Sequence, residues 1–254
     1  MTDFRILGHM VTHNEMDRYL TATIPWLATL VDDIHVYDDL SDDGTYDYLQ
    51  RAGVAVERRS YSGVSFRENE GRFRSGAWQR MEARLRPGPR DWILCVDADE
   101  FVVPTITDAT LGRSELQTAI TNARLSGRQA ISFTVAEIFG FGDDGWPAQR
   151  IDGFWGAIRA CRLVAWRNNA YFPPRDSGGS VPAIWDHGYD PVPGLQILHL
   201  GYARREDRET KTQRYLASRG HNLKHVMSIL DTPTLVPWDG PESCAQLLGA
   251  TSAR

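Results

Sequence analysis

Apolar residues in the first hundred positions alternate between short runs and stripes at helical spacing. The runs predict strands at residues 4–11, 34–37, 54–57 and 92–96. The stripes predict helices at residues 15–31, 68–86 and a short one ending near 51. Pro25 lies inside the first helix and predicts a kink or a break there. Strands and helices in this alternation predict an α/β fold, with a mostly parallel sheet flanked by helices.

The second half is less regular. Its pattern predicts helices at residues 113–126, 205–219 and 221–230, and strands at 129–136, 158–166 and 195–200. No linker separates two domains. We therefore expect one domain over residues 1–238, with halves 1–103 and 104–238, followed by a weakly ordered tail over 239–254.

Composition narrows the class of protein. The 254 residues are 42% hydrophobic and 24% charged, as in ordinary globular chains. The pattern predicts neither a membrane-spanning helix nor a signal peptide. Three cysteines far apart predict no disulfide framework and favour a cytoplasmic protein.

Charge is unevenly distributed. The net charge of −5 argues against non-specific binding of nucleic acid. Residues 150–220, however, hold 11 basic and 7 acidic residues. This basic stretch is either a chance fluctuation on a solvated surface or a lobe that receives an anionic ligand.

Two acidic clusters follow predicted strands. Asp38 and Asp39 come after the second strand, and Asp97 and Asp99 come after the fourth. Ligands of parallel sheets bind at the carboxyl ends of strands, so both clusters are expected at one edge. Asp97 and Asp99 can share Mg²⁺ or Mn²⁺, or form a solvated turn. Asp39 can accept from a nucleobase or a ribose hydroxyl, or belong to a turn before a helix.

Three motifs in this order carry a family resemblance. They are Thr12-His13-Asn14-Glu15, the segment VYDDLSDDGT over residues 36–45, and Asp97-Ala98-Asp99. The second is similar to the VxDDxSxDGT motif of family 2 glycosyltransferases, and the others resemble that family's opening motif and its Asp-x-Asp. The resemblance covers about residues 4–103 and implies a GT-A fold, in a stand-alone enzyme of bacterial or phage type.

The resemblance also implies roles for single residues. Thr12, Asn14 and Glu15 would line the nucleotide pocket, and Asp39 would contact the base or ribose. The other implied positions are Arg72 near the base, Asp97 at the ribose or the metal, and Asp99 at the metal. UDP is the nucleotide that the family most often uses.

The second half supplies further candidates. His199 is either a third metal ligand or a histidine of the core. Arg204 and Lys211, with their basic neighbours, would close over the diphosphate, or lie on a solvated helix. Trp155 is the candidate wall for the acceptor, against the alternative of core packing.

The catalytic base is the open point. The family commonly uses a Glu-Asp pair late in the domain, and neither candidate named below belongs to such a pair. Asp186 is the first candidate for the base and Glu137 the second. A glycine-rich segment starting at Phe139 is expected to be a mobile acceptor loop.

Together these features predict a glycosyltransferase that depends on Mn²⁺ or Mg²⁺ and moves a hexosyl or pentosyl group from a UDP-sugar. Its acceptor would be a hydroxyl of a saccharide, a protein or a modified DNA base. One alternative is a nucleotidyltransferase, which would carry a glycine-rich basic loop after the first strand, unlike residues 12–15. The other is a non-catalytic protein that binds nucleotide sugars.

Overall fold

A computed structural model of the chain describes residues 3–105, 112–168, 170–174, 179–183, 191–217, 223–242 and 244. The chain divides into two compact units. The first consists of residues 1–99, 112–132 and 161–191, and the second of residues 100–111, 133–160 and 192–254. The first unit takes residues from both expected halves, and the single-domain division stays a prediction. Most of the expected tail lies outside the described residues.

The elements alternate in the first half as the hydrophobic pattern predicts. In chain order they are β1 (Ile6–Thr12), α1 (Leu20–Leu30), β2 (Asp33–Asp38), α2 (Thr45–Arg51), β3 (Ala55–Arg58), α3 (Glu70–Leu85), β4 (Trp92–Cys95), β5 (Glu100–Pro104), α4 (Arg113–Leu125), β6 (Ala130–Phe141), β7 (Pro147–Arg150), a 3₁₀ helix (Gly153–Ala157), β8 (Arg159–Ala165), β9 (Pro191–His199), α5 (Arg205–Ala217), α6 (Leu223–Ser228) and β10 (Leu235–Pro237).

The sheet of the first unit has the strand order β3-β2-β1-β4-β8. β1 pairs in parallel with β2 and with β4, and β2 pairs in parallel with β3. β8 runs antiparallel to β4. Helices α1 and α3 pack on this sheet, which buries the apolar faces of its strands. The predicted α/β fold with a parallel sheet flanked by helices is confirmed.

Pro25 does not break α1, although a kink or split is expected from the sequence. A proline has no N–H for the carbonyl four residues earlier, which here belongs to Thr21. The Tyr48 hydroxyl of α2 lies 3.5 Å from that carbonyl oxygen and donates to it. The side chain of a neighbouring helix thus replaces the missing backbone donor, and α1 continues to Leu30.

The strands of the second unit pair in the order β10-β7-β6-β9-β5, with antiparallel pairing between β10 and β7, β7 and β6, and β9 and β5. β5 is absent from the sequence prediction, because only four residues separate it from β4. The prediction that a glycine-rich loop begins at Phe139 is wrong, because β6 continues through Phe141. The chain turns only afterwards, where the Gly142 N–H donates to the Trp146 carbonyl at 2.8 Å.

Each unit has its own core. That of the first contains Leu7, Trp78, Met81 and Ile93. That of the second is mainly aromatic and contains Phe139, Trp155, Tyr202 and Ile229. None of the described helices combines the length and hydropathy needed to span a bilayer.

Helix α3 ends on a non-glycine residue in the left-handed region, Arg86, with φ of 48°. Glycine adopts this conformation without the steric cost of a Cβ atom. Arg86→Gly should therefore raise the free energy of unfolding by about 1 kcal/mol, or about 2–4 °C in Tm. Arg84→Gly, within the last helical turn, should lower it by about 1 kcal/mol. Equal effects in thermal denaturation would contradict this account of the helix end.

A buried histidine pair joins β1 to β2. His9 and His35 are register partners with Nδ1 atoms 3.3 Å apart, and His35 Nε2 lies 3.7 Å from Glu57. Burial lowers the pKa of His35 to about 4 and that of His9 well below its usual value. Both imidazoles are therefore neutral in the folded protein at neutral pH.

This pair makes stability depend on pH. Below pH 6.5 the two histidines are protonated in the unfolded chain but stay neutral in the folded chain. The free energy of unfolding therefore falls as the pH drops towards 4. For His35 the loss reaches about 2 kcal/mol by pH 5. Urea denaturation at pH 8, 6 and 5 should show a weaker dependence in His35→Gln. The same pH dependence in both proteins would exclude His35 as its source.

Candidate functional site

Three polar strand ends meet at one edge of the sheet in the first unit. Thr12 ends β1 and is the register partner of Asp38, which ends β2. β4 pairs in parallel with β1 on its other side, and the turn from Asp97 to Asp99 follows it. The predicted placement of both acidic clusters at the carboxyl edge is therefore observed.

The loops after β1 and β2 are tied together by side chains. Asn14 donates its amide to the Asp42 carboxylate at 2.8 Å and accepts from the Asp42 N–H at 2.9 Å. The backbone N–H of Asn14 donates to Ser41 Oγ. Asn14 and Leu40 both have positive φ, at 55° and 57°. Asparagine tolerates this conformation and leucine adopts it at a cost, so the paired loops hold a fixed backbone at this edge.

Asp38 and Asp39 have different partners. Asp38 is fully buried, accepts from the Ser41 backbone and hydroxyl, and lies 3.2 Å from Arg58 Nε. Asp39 is 5% exposed and accepts from Arg59 Nε and from the Phe66 N–H. Asp39 therefore fastens both ends of the segment 59–66 to the end of β2.

Arg74 faces Asp97 from helix α3. Its Nη2 lies 3.4 Å from Asp97 Oδ1, and its Nε donates to Glu70 at 2.8 Å. The Arg74 side chain is 8% exposed, and that of Asp97 is 33% exposed. The family resemblance implies a role for Arg72, which lies two residues earlier and is exposed, and the sequence does not identify Arg74. The Glu70–Arg74 spacing of four residues is a signal that would have pointed to this arginine.

Asp99 has a cationic neighbour of its own. Arg18 Nη2 lies 3.6 Å from Asp99 Oδ2, and Arg18 Nη1 donates to Glu15 at 2.9 Å. The Asp99 side chain is 9% exposed. The Ala98 carbonyl between the two aspartates accepts from Thr23 Oγ1 at 2.6 Å, which fixes the turn to α1. Predicted site residues Glu15 and Asp99 are thus joined through Arg18.

The Thr12 hydroxyl is buried at this edge. Thr12 is 4% exposed, and its Oγ1 has no hydrogen-bond partner among the described residues. A buried hydroxyl without a hydrogen-bond partner lowers the stability of the folded protein by about 1–3 kcal/mol. Such an atom at a strand end is suited to a polar ligand atom.

The donor chemistry of Asp97 and Asp99 fits a hard divalent cation. Mg²⁺ is usually held by one or two carboxylates together with waters and substrate phosphates, so two aspartates suffice for it. Among the described residues, no three His, Cys, Asp or Glu side chains are grouped as a metal site. A cation here would therefore complete its coordination with ligand or solvent oxygens.

In the second unit, Glu137 and His199 form a hydrogen-bonded pair. The sequence predicts separate roles for them, Glu137 as a candidate base and His199 as a candidate metal ligand. His199 Nδ1 lies 2.7 Å from Glu137 Oε2, and His199 Nε2 lies 3.4 Å from Lys211 Nζ. A lysine ammonium only donates, so Nε2 accepts and Nδ1–H donates to the carboxylate. Glu137 is 4% exposed and fixes this tautomer.

Other predicted residues of the second half have different environments. Trp155 is 2% exposed and packs among Phe139, Tyr202 and His225, whereas the neighbouring Phe154 is 62% exposed. Arg204 is exposed immediately before α5. The candidate base Asp186 lies outside the described residues.

Comparisons with known proteins give distant relatives. No family model matches the chain. It is 28% identical over 226 residues to the uncharacterized proteins Rv3786c of Mycobacterium tuberculosis and Mb3815c of Mycobacterium bovis, covering 84% of this chain. The chain spans about half the length of these curated relatives, with 50% of each covered.

Solved structures similar to the chain include glycosyltransferases. One is TarS of S. aureus, with a TM-score of 0.41 and 15% identity, over 89% of this chain and 42% of TarS. Another is glucosyl-3-phosphoglycerate synthase of Mycobacterium tuberculosis in complex with Mn²⁺, UDP-glucose and phosphoglyceric acid. Its TM-score is 0.33 and its identity 16%, over 52% of this chain and 43% of that one.

A third solved structure is also similar to the chain. The chain matches a 4-diphosphocytidyl-2C-methyl-D-erythritol synthase with a TM-score of 0.35 and 18% identity, over 63% of this chain and 73% of that one.

The Arg74 contacts predict a contrast between two neighbouring arginines of α3. Arg74→Met removes the partner of Glu70 and Asp97 and leaves carboxylates with reduced compensation, so the free energy of unfolding should fall by about 2 kcal/mol. The matched variant Arg72→Met, on the exposed side, should change it by less than about 0.5 kcal/mol. Urea denaturation at pH 7 measures both. Equal losses would contradict the assigned role of Arg74.

Proposed function

We propose that the chain is a glycosyltransferase that depends on Mn²⁺ or Mg²⁺ and uses a UDP-sugar carrying a hexose or pentose. The proposal rests on one observation: Asp39, Asp97 and Asp99 lie at one edge of the sheet, in the motif order given above. These are the positions that the resemblance assigns to the nucleotide and the metal.

The donor nucleotide would bind at the ends of β1 and β2. Asp39 accepts from the base or the ribose with its remaining lone pairs, while its bonds to Arg59 and Phe66 hold the carboxylate in place. The buried Thr12 hydroxyl gains its missing partner from the ligand. Asn14 and Glu15 shape the pocket by fixing the loops, and Arg72 lies near the base.

Asp97 and Asp99 would hold the cation, which supplies Lewis-acid chemistry and a template for the leaving diphosphate when bound. Arg74 and Arg18 orient these carboxylates. His199 stays the candidate for a further ligand, with its Nδ1 engaged by Glu137. Lys211 and Arg204 compensate charge on the diphosphate as it leaves.

The acceptor hydroxyl would attack the anomeric carbon in line. Asp186 is proposed to remove its proton, because Glu137 is already bonded to His199 and acts as a positioning residue for it. Glu137 remains the second candidate for the base. The acceptor is a saccharide, a protein or a modified DNA base, with Trp155 and its exposed neighbour Phe154 at the acceptor side.

Donor binding is tested by the Tm of the protein with UDP and UDP-sugars, with and without Mn²⁺. At a hundredfold excess over Kd, binding to the native state stabilises by about 2.7 kcal/mol, so a rise of roughly 5–10 °C is expected only with metal present. Asp99→Asn should abolish the rise. Asp47→Asn, an exposed aspartate on α2, is the matched control and should retain it.

A Tm that no nucleotide shifts under any metal condition would refute the proposal. Release of UDP from a UDP-sugar separates an enzyme from a protein that only binds the sugar nucleotide. Stabilisation by nucleoside triphosphates, with none by UDP-sugars, would favour a nucleotidyltransferase.

A further inference from the structure

One ridge of helix α3 carries three exposed arginines. Arg72, Arg80 and Arg84 are spaced by eight and four residues, so they share one i, i+4 row with Gly76. At a rise of 1.5 Å per residue the row is about 18 Å long. A Cβ atom at Gly76 would meet nothing within 4 Å beyond its own helix, so the surface between Arg72 and Arg80 is open. We call Arg72, Arg80 and Arg84 the arginine row.

The arginine row has little acidic compensation. Arg72 and Arg84 form no ion pair with any described residue. Arg80 is 63% exposed, and its Nη1 lies 3.6 Å from Glu57, which is a weak contact. The other exposed residues of α3 are uncharged. Because Arg80 and Arg84 are like charges four residues apart, they destabilise the helix, and an anion bound to the row would relieve their repulsion.

The row begins at the carboxyl edge of the sheet. The Phe66 N–H, four residues before α3, donates to Asp39 at 2.9 Å. Arg74, in the second turn of the helix, faces Asp97. The start of α3 therefore lies beside the candidate site of the first unit, and the row leads away from this edge along the helix.

The composition of this surface indicates what it binds. Residues 51–90 hold ten arginines and four acidic residues, although the whole chain has a net charge of −5. The exposed face of α3 offers no apolar side chain that could enter a membrane or anchor a protein partner. Its ligand is therefore held by charge. Neighbouring arginines of the row are about 6 Å or more apart along the axis, so only an extended anion contacts all three.

We propose that the arginine row binds the phosphate backbone of double-stranded DNA. The planar guanidinium group of arginine matches the geometry of a phosphate. Each strand of the duplex places a phosphate every 3.4 Å along the axis, so a row of about 18 Å spans about five base-pair steps. A modified DNA base is one of the acceptors named above. The proposal narrows that choice and in this respect rests on the proposed function, whereas the binding of DNA is independent of it.

The experiment is fluorescence anisotropy of a labelled DNA duplex of about 20 base pairs, titrated with the full chain between about 50 and 200 mM KCl. Three phosphate contacts predict a slope of about −2.7 for the logarithm of the association constant against that of the salt concentration. Arg84→Gln should reduce the slope to about −1.8 and weaken binding roughly fivefold. Arg128→Gln is the matched control and should bind like the native protein. Arg128 is exposed and follows α4, which packs against α1.

A gain of binding is expected at the open position of the row. Gly76→Arg adds a fourth cation, so it should tighten binding roughly fivefold and steepen the slope to about −3.6. Gly76→Gln is the matched control, because it adds a side chain without charge and should bind like the native protein. Both variants should raise the Tm by replacing a helical glycine, and circular dichroism checks that each variant retains the fold.

Asp99→Asn should still bind DNA although it should no longer be stabilised by UDP-sugars, so failures of the two proposals are distinguishable. Four results would overturn the DNA proposal. They are no binding at about 50 mM KCl, a slope near zero, equal losses in Arg84→Gln and Arg128→Gln, and a Gly76→Arg variant that binds no more tightly than Gly76→Gln. Sedimentation with phosphatidylglycerol vesicles that Arg84→Gln abolishes, without binding of DNA, would assign the row to a lipid surface instead.

Discussion

The parallel pairing of β1 with β2 on one side and β4 on the other is the constraint on which the first unit depends. Parallel strands need crossover connections, so α1 and α3 follow from this pairing and cover the sheet. The same pairing makes the parallel strands β1, β2, β3 and β4 end on one edge. Residues far apart in the chain, such as Thr12, Asp38 and Asp97, therefore come together without any contact between their side chains being required.

An edge of this kind collects acidic side chains, and each one needs compensation. In this chain the compensation comes from separate arginines: Arg58 for Asp38, Arg59 for Asp39, Arg74 for Asp97 and Arg18 for Asp99. Buried carboxylates stay charged only when they are paired and hydrogen-bonded. The arginines therefore give the acidic residues a defined orientation before any ligand is present, and Asp38, Asp39 and Asp99 have it at low exposure.

The sequence predicts the first unit better than the second for a physical reason. Apolar runs such as Trp92–Cys95 are local signals, and the parallel topology follows from their alternation with helices. Arg72 and Arg74 are two positions apart on α3 and therefore lie on different sides of the helix. The sequence alone does not show which of the two faces the sheet, and so it does not identify Arg74. The Glu137–His199 contact depends on the pairing of β6 with β9, whose partners are 62 residues apart. No local pattern encodes such a pairing.

The arginine partners also have a consequence for the order in which ligands bind. Asp97 shares Arg74 with Glu70, and Asp99 shares Arg18 with Glu15, so carboxylates and guanidinium groups alternate along this edge. A divalent cation that binds alone is repelled by the two guanidinium groups, and a diphosphate that binds alone is repelled by the two carboxylates. In the proposed donor site each ligand would relieve the repulsion that the other experiences, so cation and nucleotide should bind with positive heterotropic cooperativity, each raising the affinity of the other by the same factor.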